Sequence, residues 1–153
     1  MRRFCLLAVF FLTPIAAMAQ SPVCSNQGIR TAVQSNSIQY TEDNWFWSGA
    51  FDKPMVGKAE QQKLRKELET QQPRKNQSSS DTPQRIVVSA NGDMAYEYGN
   101  GTLSYDDQKE GKHVAFELGY LRVWKAVDGQ CKIAAFMIHP IESTIKETPI
   151  KPN

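Results

Sequence analysis

A serine, two histidines and a mid-strand glutamate are the residues of this sequence whose types can support nucleophilic chemistry. Ser48, His139 and Glu117 supply the three side chains of a hydrolytic triad, in which an acid orients a base that activates the hydroxyl. Their spacing does not require them to meet. His139 also fits a strand end before Pro140, and His113 fits a strand start after a charged turn, so structural roles explain both histidines.

Glu117 and three tryptophans are the side chains best suited to contact a bound molecule. Glu117 lies in mid-strand, so its carboxylate either faces water, with Arg122 or Lys132 as an ion-pair partner, or points into the interior, where burial disfavours its charged form. The tryptophans can stack on a flat ligand, although aromatic residues at strand positions more often pack in a core or a dimer interface. They are Trp45, Trp47 and Trp124.

The N-terminal residues have the three parts of a secretory signal peptide. Arg2 and Arg3 form the positive region, residues 4–15 form the apolar region, and the sequence AMA at 17–19 forms the cleavage site. We expect a signal peptide at 1–19 and an exported mature chain, secreted or periplasmic, that keeps no membrane segment. Cleavage leaves sixteen basic and sixteen acidic residues. This balance argues against nucleic-acid binding, which needs a net basic surface.

Cleavage also leaves two cysteines in the mature chain, Cys24 and Cys131. An even number of cysteines in an oxidising compartment predicts a disulfide, which would join the N-terminal segment to the last hairpin. The cysteines do not predict a zinc site, because His113 and His139 lack close ligand spacing. We expect no metal and no cofactor.

The first half of the mature chain predicts a short helical segment, a strand and a helix. Residues 20–36 are polar and form at most a short helix, whereas the aromatic residues between Tyr40 and Phe51 favour a strand. Gly57 precedes a run of strong helix formers that is polar enough to bury only a narrow stripe. The prolines and serines of 72–84 predict a loop.

The second half predicts four antiparallel strands in a meander. Asn91-Gly92 and Asp128-Gly129 are tight-turn dipeptides between strands, and a polar connection separates the two hairpins. The last residues, 143–153, predict a frayed tail.

The third strand of the meander is apolar on both faces. Even-numbered residues from Val114 to Trp124 share one face, and odd-numbered residues from Ala115 to Val123 share the other. One modest helix and a short N-terminal segment can cover only one of these faces. The other face is therefore expected to contact a partner, most simply a second copy of the chain in a homodimer.

The order of these elements resembles the nuclear-transport-factor-2-like (NTF2-like) superfamily, in particular its SnoaL-like and uncharacterised ketosteroid-isomerase-related branch. The resemblance covers residues 37–142 and includes the stretch from Tyr40 to Gly57. Its residues in the final hairpin are Gly119, Tyr120, Val123, Trp124, Asp128, Gly129, Lys132, Ile133 and Ala134. The resemblance implies an α+β fold in which one main helix and a shortened N-terminal helical segment pack with a curved antiparallel sheet into a cone. Such cones often contain an apolar pocket and are frequently dimeric.

The catalytic carboxylates of ketosteroid isomerase are not matched. In that enzyme the proton base lies nine residues before the glycine that opens the helix, and this position is Ser48 here. An acidic donor position falls at Leu118-Gly119. Relatives usually have a tryptophan where this chain has Cys131, and the short segment before the sheet implies a thin helical roof. The isomerase mechanism is therefore not implied.

The resemblance implies an exported module that binds a small apolar molecule or acts through its dimer surface. The alternative is a small-molecule isomerase, cyclase or hydrolase that uses the cone pocket, and a third interpretation is an accessory envelope protein without a ligand. The candidate ligand contacts in the cone are Phe46, Ser48, Glu117, Met137 and His139.

Overall fold

The computed structural model describes residues 23–49 and 53–150, so the predicted signal peptide lies outside the described residues. The helices are α1 (Asn26–Gln34) and α2 (Gly57–Gln71), and a short 3₁₀ turn spans Glu142–Thr144. The strands are β1 (Tyr40–Ser48), β2 (Met55–Val56), β3 (Arg74–Val88), β4 (Met94–Asp107), β5 (Lys112–Val127), β6 (Gln130–Pro140) and β7 (Lys146–Pro149). Among the described helices, none is long and apolar enough to cross a membrane.

The seven strands form one curved, unclosed sheet. Its order is β2-β1-β6-β5-β4-β3, and β7 pairs with the part of β5 that lies beyond the end of β6. All neighbours are antiparallel except β1 and β6. The predicted α+β class and the predicted four-strand meander, formed by β3 to β6, are confirmed.

The two helices begin with different local signals. Ser25 caps α1, because its hydroxyl accepts a hydrogen bond from the Gly28 amide at 3.1 Å, and Ile29 on the same helix is buried. α2 begins at Gly57, whose φ of +78° favours glycine. The Glu60 carboxylate accepts a hydrogen bond from the Val56 amide at 2.8 Å, which satisfies one donor at the start of the helix. No residue of α2 is buried, in agreement with its polar sequence.

The strand residues divide into an inner and an outer face as the alternation predicts. Along β5, Leu118, Tyr120, Arg122 and Trp124 are buried, and they lie on the face that we call inner. Each of these four residues pairs with a residue of β4 and a residue of β6; Arg122, for example, pairs with Glu97 and Phe136. The odd-numbered residues of β5 lie on the opposite, outer face.

Two sequence predictions about irregular segments are wrong. The predicted loop at 72–84 belongs to β3, which pairs with β4 along its length. Its residues are polar because β3 is an edge strand whose first half is exposed, so the backbone ladder rather than side-chain burial holds it in place. The tail predicted to fray includes β7, whose backbone pairs with Lys112–Ala115.

The predicted disulfide is present and ties α1 to the last hairpin. Cys24 and Cys131 are bonded across 107 residues of sequence, with their Cα atoms 5.0 Å apart. Cys24 is fully buried in the main hydrophobic cluster, which it forms together with residues of α1, β3, β4, β5 and β6. The other members of the cluster are Ile29, Ile86, Ala95, Trp124 and Ile133.

Removal of this disulfide is expected to destabilise the domain. The cross-link restricts the unfolded chain over a long loop, so the double variant Cys24→Ser/Cys131→Ser should lose about 2 to 5 kcal/mol of unfolding free energy. Urea unfolding with and without a reductant measures the loss. Reduction should destabilise the native protein and leave the double variant unchanged. Two free thiols in the unfolded, unreduced native protein would contradict the assignment.

Candidate functional site

A fully buried carboxylate, that of Glu97, lies at the centre of the inner face. Its Oε1 accepts hydrogen bonds from the Tyr120 hydroxyl at 2.8 Å and from Nη1 of Arg122 at 3.1 Å. Its Oε2 accepts one from the indole Nε1 of Trp124 at 2.9 Å. The three donors are alternate residues of β5, so strand alternation places all of them on the inner face beside β4. These bonds compensate the cost of removing the charge from water.

Arg122 connects Glu97 to a second carboxylate. Its side chain is buried, and Nη2 is paired with Oδ2 of Asp81 on β3. The guanidinium also packs against two rings, with its central carbon 4.4 Å from the centroid of Tyr120 and 4.7 Å from that of Phe136. Asp81 is the more accessible carboxylate, with 27% of its side chain exposed, whereas Glu97 has none exposed. One cation thus faces two carboxylates, and the cluster has a formal charge of −1.

The two tyrosines near this cluster remain protonated. Burial, followed by the hydrogen bond to Glu97, raises the pKa of Tyr120 far above its usual value. Burial also raises the pKa of Tyr40, although the nearby positive charge of Arg122 opposes the change. Neither hydroxyl can therefore act as a base near neutral pH, and the Tyr120 hydroxyl is already occupied as a donor to Glu97.

Two glycines of β4 make room for the cluster. A Cβ at Gly99 would lie 2.3 Å from the Thr82 carbonyl oxygen and 2.6 Å from the Tyr120 hydroxyl. A Cβ at Gly101 would lie 2.9 Å from Oδ1 of Asp81. The missing side chains therefore let Tyr120 and Asp81 lie close against β4, which positions them for Glu97 and Arg122.

Four buried polar atoms near the inner face lack a hydrogen-bond partner among residues 23–49 and 53–150. They are Thr41 Oγ1, Asn44 Oδ1, Asn44 Nδ2 and Arg122 Nε. Thr41 and Asn44 belong to an irregular part of β1, where the four residues between Tyr40 and Trp45 face the single residue Ala134 of β6. Such atoms are costly to bury unless water or a ligand satisfies them.

The five predicted ligand contacts are divided between the two faces. Phe46 and Ser48 lie on the inner face, and the Phe46 ring is 5.5 Å from that of Phe136. Met137, Glu117 and His139 lie on the outer face, and the last two are exposed. The role of these five residues as ligand contacts stays a prediction.

The residues considered for a triad are separated. Ser48 is buried on the inner face, whereas His139 and Glu117 are on the outer face. His139 Nδ1 is 2.7 Å from the Pro140 carbonyl oxygen, which occupies that ring nitrogen locally. Glu117 has neither of the ion-pair partners considered for it, because Arg122 pairs with Asp81 and Glu97, and Lys132 forms no recorded ion pair within the described chain.

Sequence reasoning missed Glu97 and Asp81. One available signal is Arg122, which shares the inner face with Tyr120 and Trp124, because a cation on an apolar face requires a buried counter-charge. Glu97 alternates with Ala95 and Gly99 and is the carboxylate that such a search would find on the preceding strand. No cluster of three or more potential metal-ligating side chains occurs within residues 23–49 and 53–150.

Structural comparison identifies the fold. A ketosteroid isomerase-like protein from Erwinia carotovora atroseptica has a TM-score of 0.56 and 15% sequence identity over 75% of this chain and 89% of that protein. A hexachlorocyclohexane dehydrochlorinase (LinA) of type 2 has a TM-score of 0.54 and 11% identity over 75% of this chain and 73% of that protein. A conserved protein from Planctomyces limnophilus has a TM-score of 0.54 and 20% identity over 75% of this chain and 96% of that protein.

These similarities confirm the NTF2-like fold that the sequence resemblance implies. The sequence matches no protein-family model and no curated protein sequence. Because the fold occurs in enzymes such as the dehydrochlorinase and supports other roles as well, function must be argued from the residues of this chain.

The close approach at Gly99 is expected to make this position intolerant of a side chain. Gly99→Ala should cost about 1 to 3 kcal/mol of unfolding free energy, because the new methyl group would meet backbone on β3 and the Tyr120 hydroxyl. Gly119→Ala is a matched control on the neighbouring strand, where a Cβ meets no atom within 4 Å, and it should change stability by less than about 1 kcal/mol. Urea unfolding measures both, and equal effects would contradict the proposed packing.

Proposed function

We propose that this chain is an exported NTF2-like module that acts as a homodimer through the outer face of its sheet. The observation that carries the proposal is an apolar surface that crosses five strands in two rows of paired residues. We call this surface the outer patch. Its members are Trp45, Ala135, Val123, Tyr96 and Val87 in one row, and Trp47, Met137, Leu121 and Tyr98 in the other.

The centre of the outer patch is accessible. Tyr96, Tyr98 and Leu121 are between 38% and 42% exposed, although they lie in the middle strands of the sheet. At the hairpin end, a depression of about 330 Å³ is lined by Val87, Met94 and other apolar residues, and it offers space for a side chain of a second molecule. A contiguous apolar surface of this kind favours association.

The charges around the outer patch favour a second copy over an unrelated partner. Lys125 and Lys132 pair on the outer face near the C-terminal end of β5, and Glu117 lies on the same face toward the middle of the strand. Leu121 is midway between Lys125 and Glu117 on β5. A two-fold axis through Leu121 would therefore bring the lysines of one copy toward Glu117 of the other, as a self-complementary interface requires.

The inner face supports a binding or interaction role rather than catalysis. Glu97 already accepts three hydrogen bonds, one of them from its ion-pair partner Arg122, and the hydroxyl of Tyr120 is kept protonated. The alternative is a small-molecule isomerase, cyclase or hydrolase. Asp81 would be its most accessible inner carboxylate, but this carboxylate is already engaged in an ion pair with Arg122.

A second candidate function is the retention of a small molecule in the cone. The unpaired atoms of Thr41, Asn44 and Arg122 favour it, because they are buried polar groups without a partner within the described part of the chain. These groups point to a ligand with polar atoms rather than to the purely apolar molecule that the resemblance implies.

Export is supported by the N-terminal sequence and by the disulfide, which is typical of an oxidising compartment. In a bacterial host, the protein recovered from outside the cytoplasm should begin at Gln20, and its mass should show an oxidised cysteine pair. Intact-mass measurement checks both features. The control Arg2→Glu/Arg3→Glu should accumulate inside with residues 1–19 retained, and an uncleaved native chain would contradict the export proposal.

Dimerisation is tested by placing a charge at the centre of the outer patch. Leu121→Lys should weaken the dimer roughly a hundredfold, because a two-fold interface would bring the two new cations together. Sedimentation velocity over a concentration series gives the dissociation constant. Gln62→Lys, which adds the same charge at an exposed position of α2, should leave it unchanged. A native protein that remains monomeric throughout the series would overturn the proposal.

A further inference from the structure

We infer that the irregular segment of β1 forms a binding site for a small neutral molecule that presents a carbonyl oxygen beside an N–H donor, as a lactam or a carboxamide does. The inference rests on the second candidate function, retention of a small molecule in the cone, and is independent of dimerisation. Its central residues are Asn44, Thr41 and Arg122.

Asn44 provides the strongest evidence. Only 1% of the residue is exposed, and neither its side-chain oxygen nor its side-chain nitrogen has a partner in the region that the structure describes. Thr41 is 6% exposed, and its hydroxyl is also unpaired. Natural proteins seldom bury donors and acceptors without partners, because each one loses its bonds to water. Two such residues within one short segment indicate that their side-chain polar atoms bind another molecule.

The backbone of this segment is held in place without the Asn44 and Thr41 side chains. Nζ of Lys58 on α2 pairs with Oε1 of Glu42 at 2.6 Å, and Nε2 of Gln61 donates to the Asn44 carbonyl oxygen at 3.3 Å. These contacts attach the segment to α2. The polar atoms of Asn44 and Thr41 are therefore not needed to shape the segment, and a purely structural role does not explain them.

The third unpaired group, Nε of Arg122, belongs to the same part of the interior. The Arg122 guanidinium packs on Phe136, and the Phe136 ring contacts Phe46, two residues after Asn44. At the other end of the segment, the charge of Arg122 affects the pKa of Tyr40. The segment thus lies between two residues that both neighbour the Arg122 cluster.

The available groups define the chemistry of the ligand. Thr41, Asn44 Nδ2 and Arg122 Nε offer donors for a carbonyl oxygen, and Asn44 Oδ1 offers an acceptor for an N–H group. The formal charge of −1 on the Glu97, Arg122 and Asp81 cluster disfavours an anion. The nearby rings of Phe46 and Phe136 favour a flat, partly apolar body. A carboxamide or lactam meets these requirements.

The test uses 2-pyrrolidone as the probe and the mature protein with its disulfide intact. In two-dimensional NMR, 2-pyrrolidone should shift the side-chain amide signals of Asn44 saturably. Cyclopentanone, which has a similar ring but no N–H group, should bind at least about tenfold more weakly because Asn44 Oδ1 stays unpaired. Asn44→Leu should abolish pyrrolidone binding without lowering the unfolding temperature, because it removes unpaired polar atoms of the free protein.

Two results would overturn the inference. One is the absence of saturable shifts in the native protein, and the other is equal binding of 2-pyrrolidone by native protein and by Asn44→Leu. If Asn44→Leu does not fold, Thr41→Val replaces it, with weaker pyrrolidone binding and unchanged folding as the expected result. Sedimentation of the same samples reports dimerisation separately, so failure of the binding site and failure of the dimer remain distinguishable.

Discussion

The buried carboxylate of Glu97 is the constraint on which the arrangement of the sheet depends. A carboxylate buried away from water needs hydrogen bonds from fixed donors to replace its hydration. Here Tyr120, Arg122 and Trp124 donate these bonds from a single strand. A slip of one residue between β4 and β5 would turn all three donors to the outer face and leave Glu97 unpaired. The cluster therefore specifies the register between β4 and β5, and its side chains also fill part of the interior.

The inner and outer faces of the sheet carry different kinds of side chain, because alternate residues of each strand point to opposite faces. The inner face holds the cluster of Glu97, Arg122 and Asp81 together with the Tyr120 hydroxyl. The polar groups of Asn44 and Thr41, which have no partner within the described residues, lie near it. The outer face carries aromatic and aliphatic side chains that have no helix over them in the described chain. The described structure therefore keeps the buried polar cluster and the exposed apolar residues on opposite faces of one sheet.

Much of this architecture can be predicted from the sequence, and the failures have physical causes. Turn dipeptides and residue alternation locate the meander, because both signals are local in the sequence. The two cysteines that remain after the predicted cleavage predict the disulfide, because they are the only possible pair. The first half of β3 is missed because an exposed edge strand needs backbone partners rather than apolar side chains. The Glu97 cluster is missed because it depends on the register between β4 and β5, which sets Glu97 opposite Arg122 and is not contained in the residue pattern of either strand alone. Glu117 shows what strand parity can predict. It is an odd-numbered residue of β5, so it lies on the face of the sheet away from Trp124, and its side chain is exposed there.

The disulfide also makes folding depend on two distant parts of the sequence. Cys24 lies just before α1, whereas Cys131 lies in β6, after most of the sheet. Within the described residues these two are the only cysteines, so Cys24 has no nearer cysteine in that part of the chain with which to form a wrong bond. A chain that stops before β6 cannot form the bond and keeps Cys24 as a free thiol.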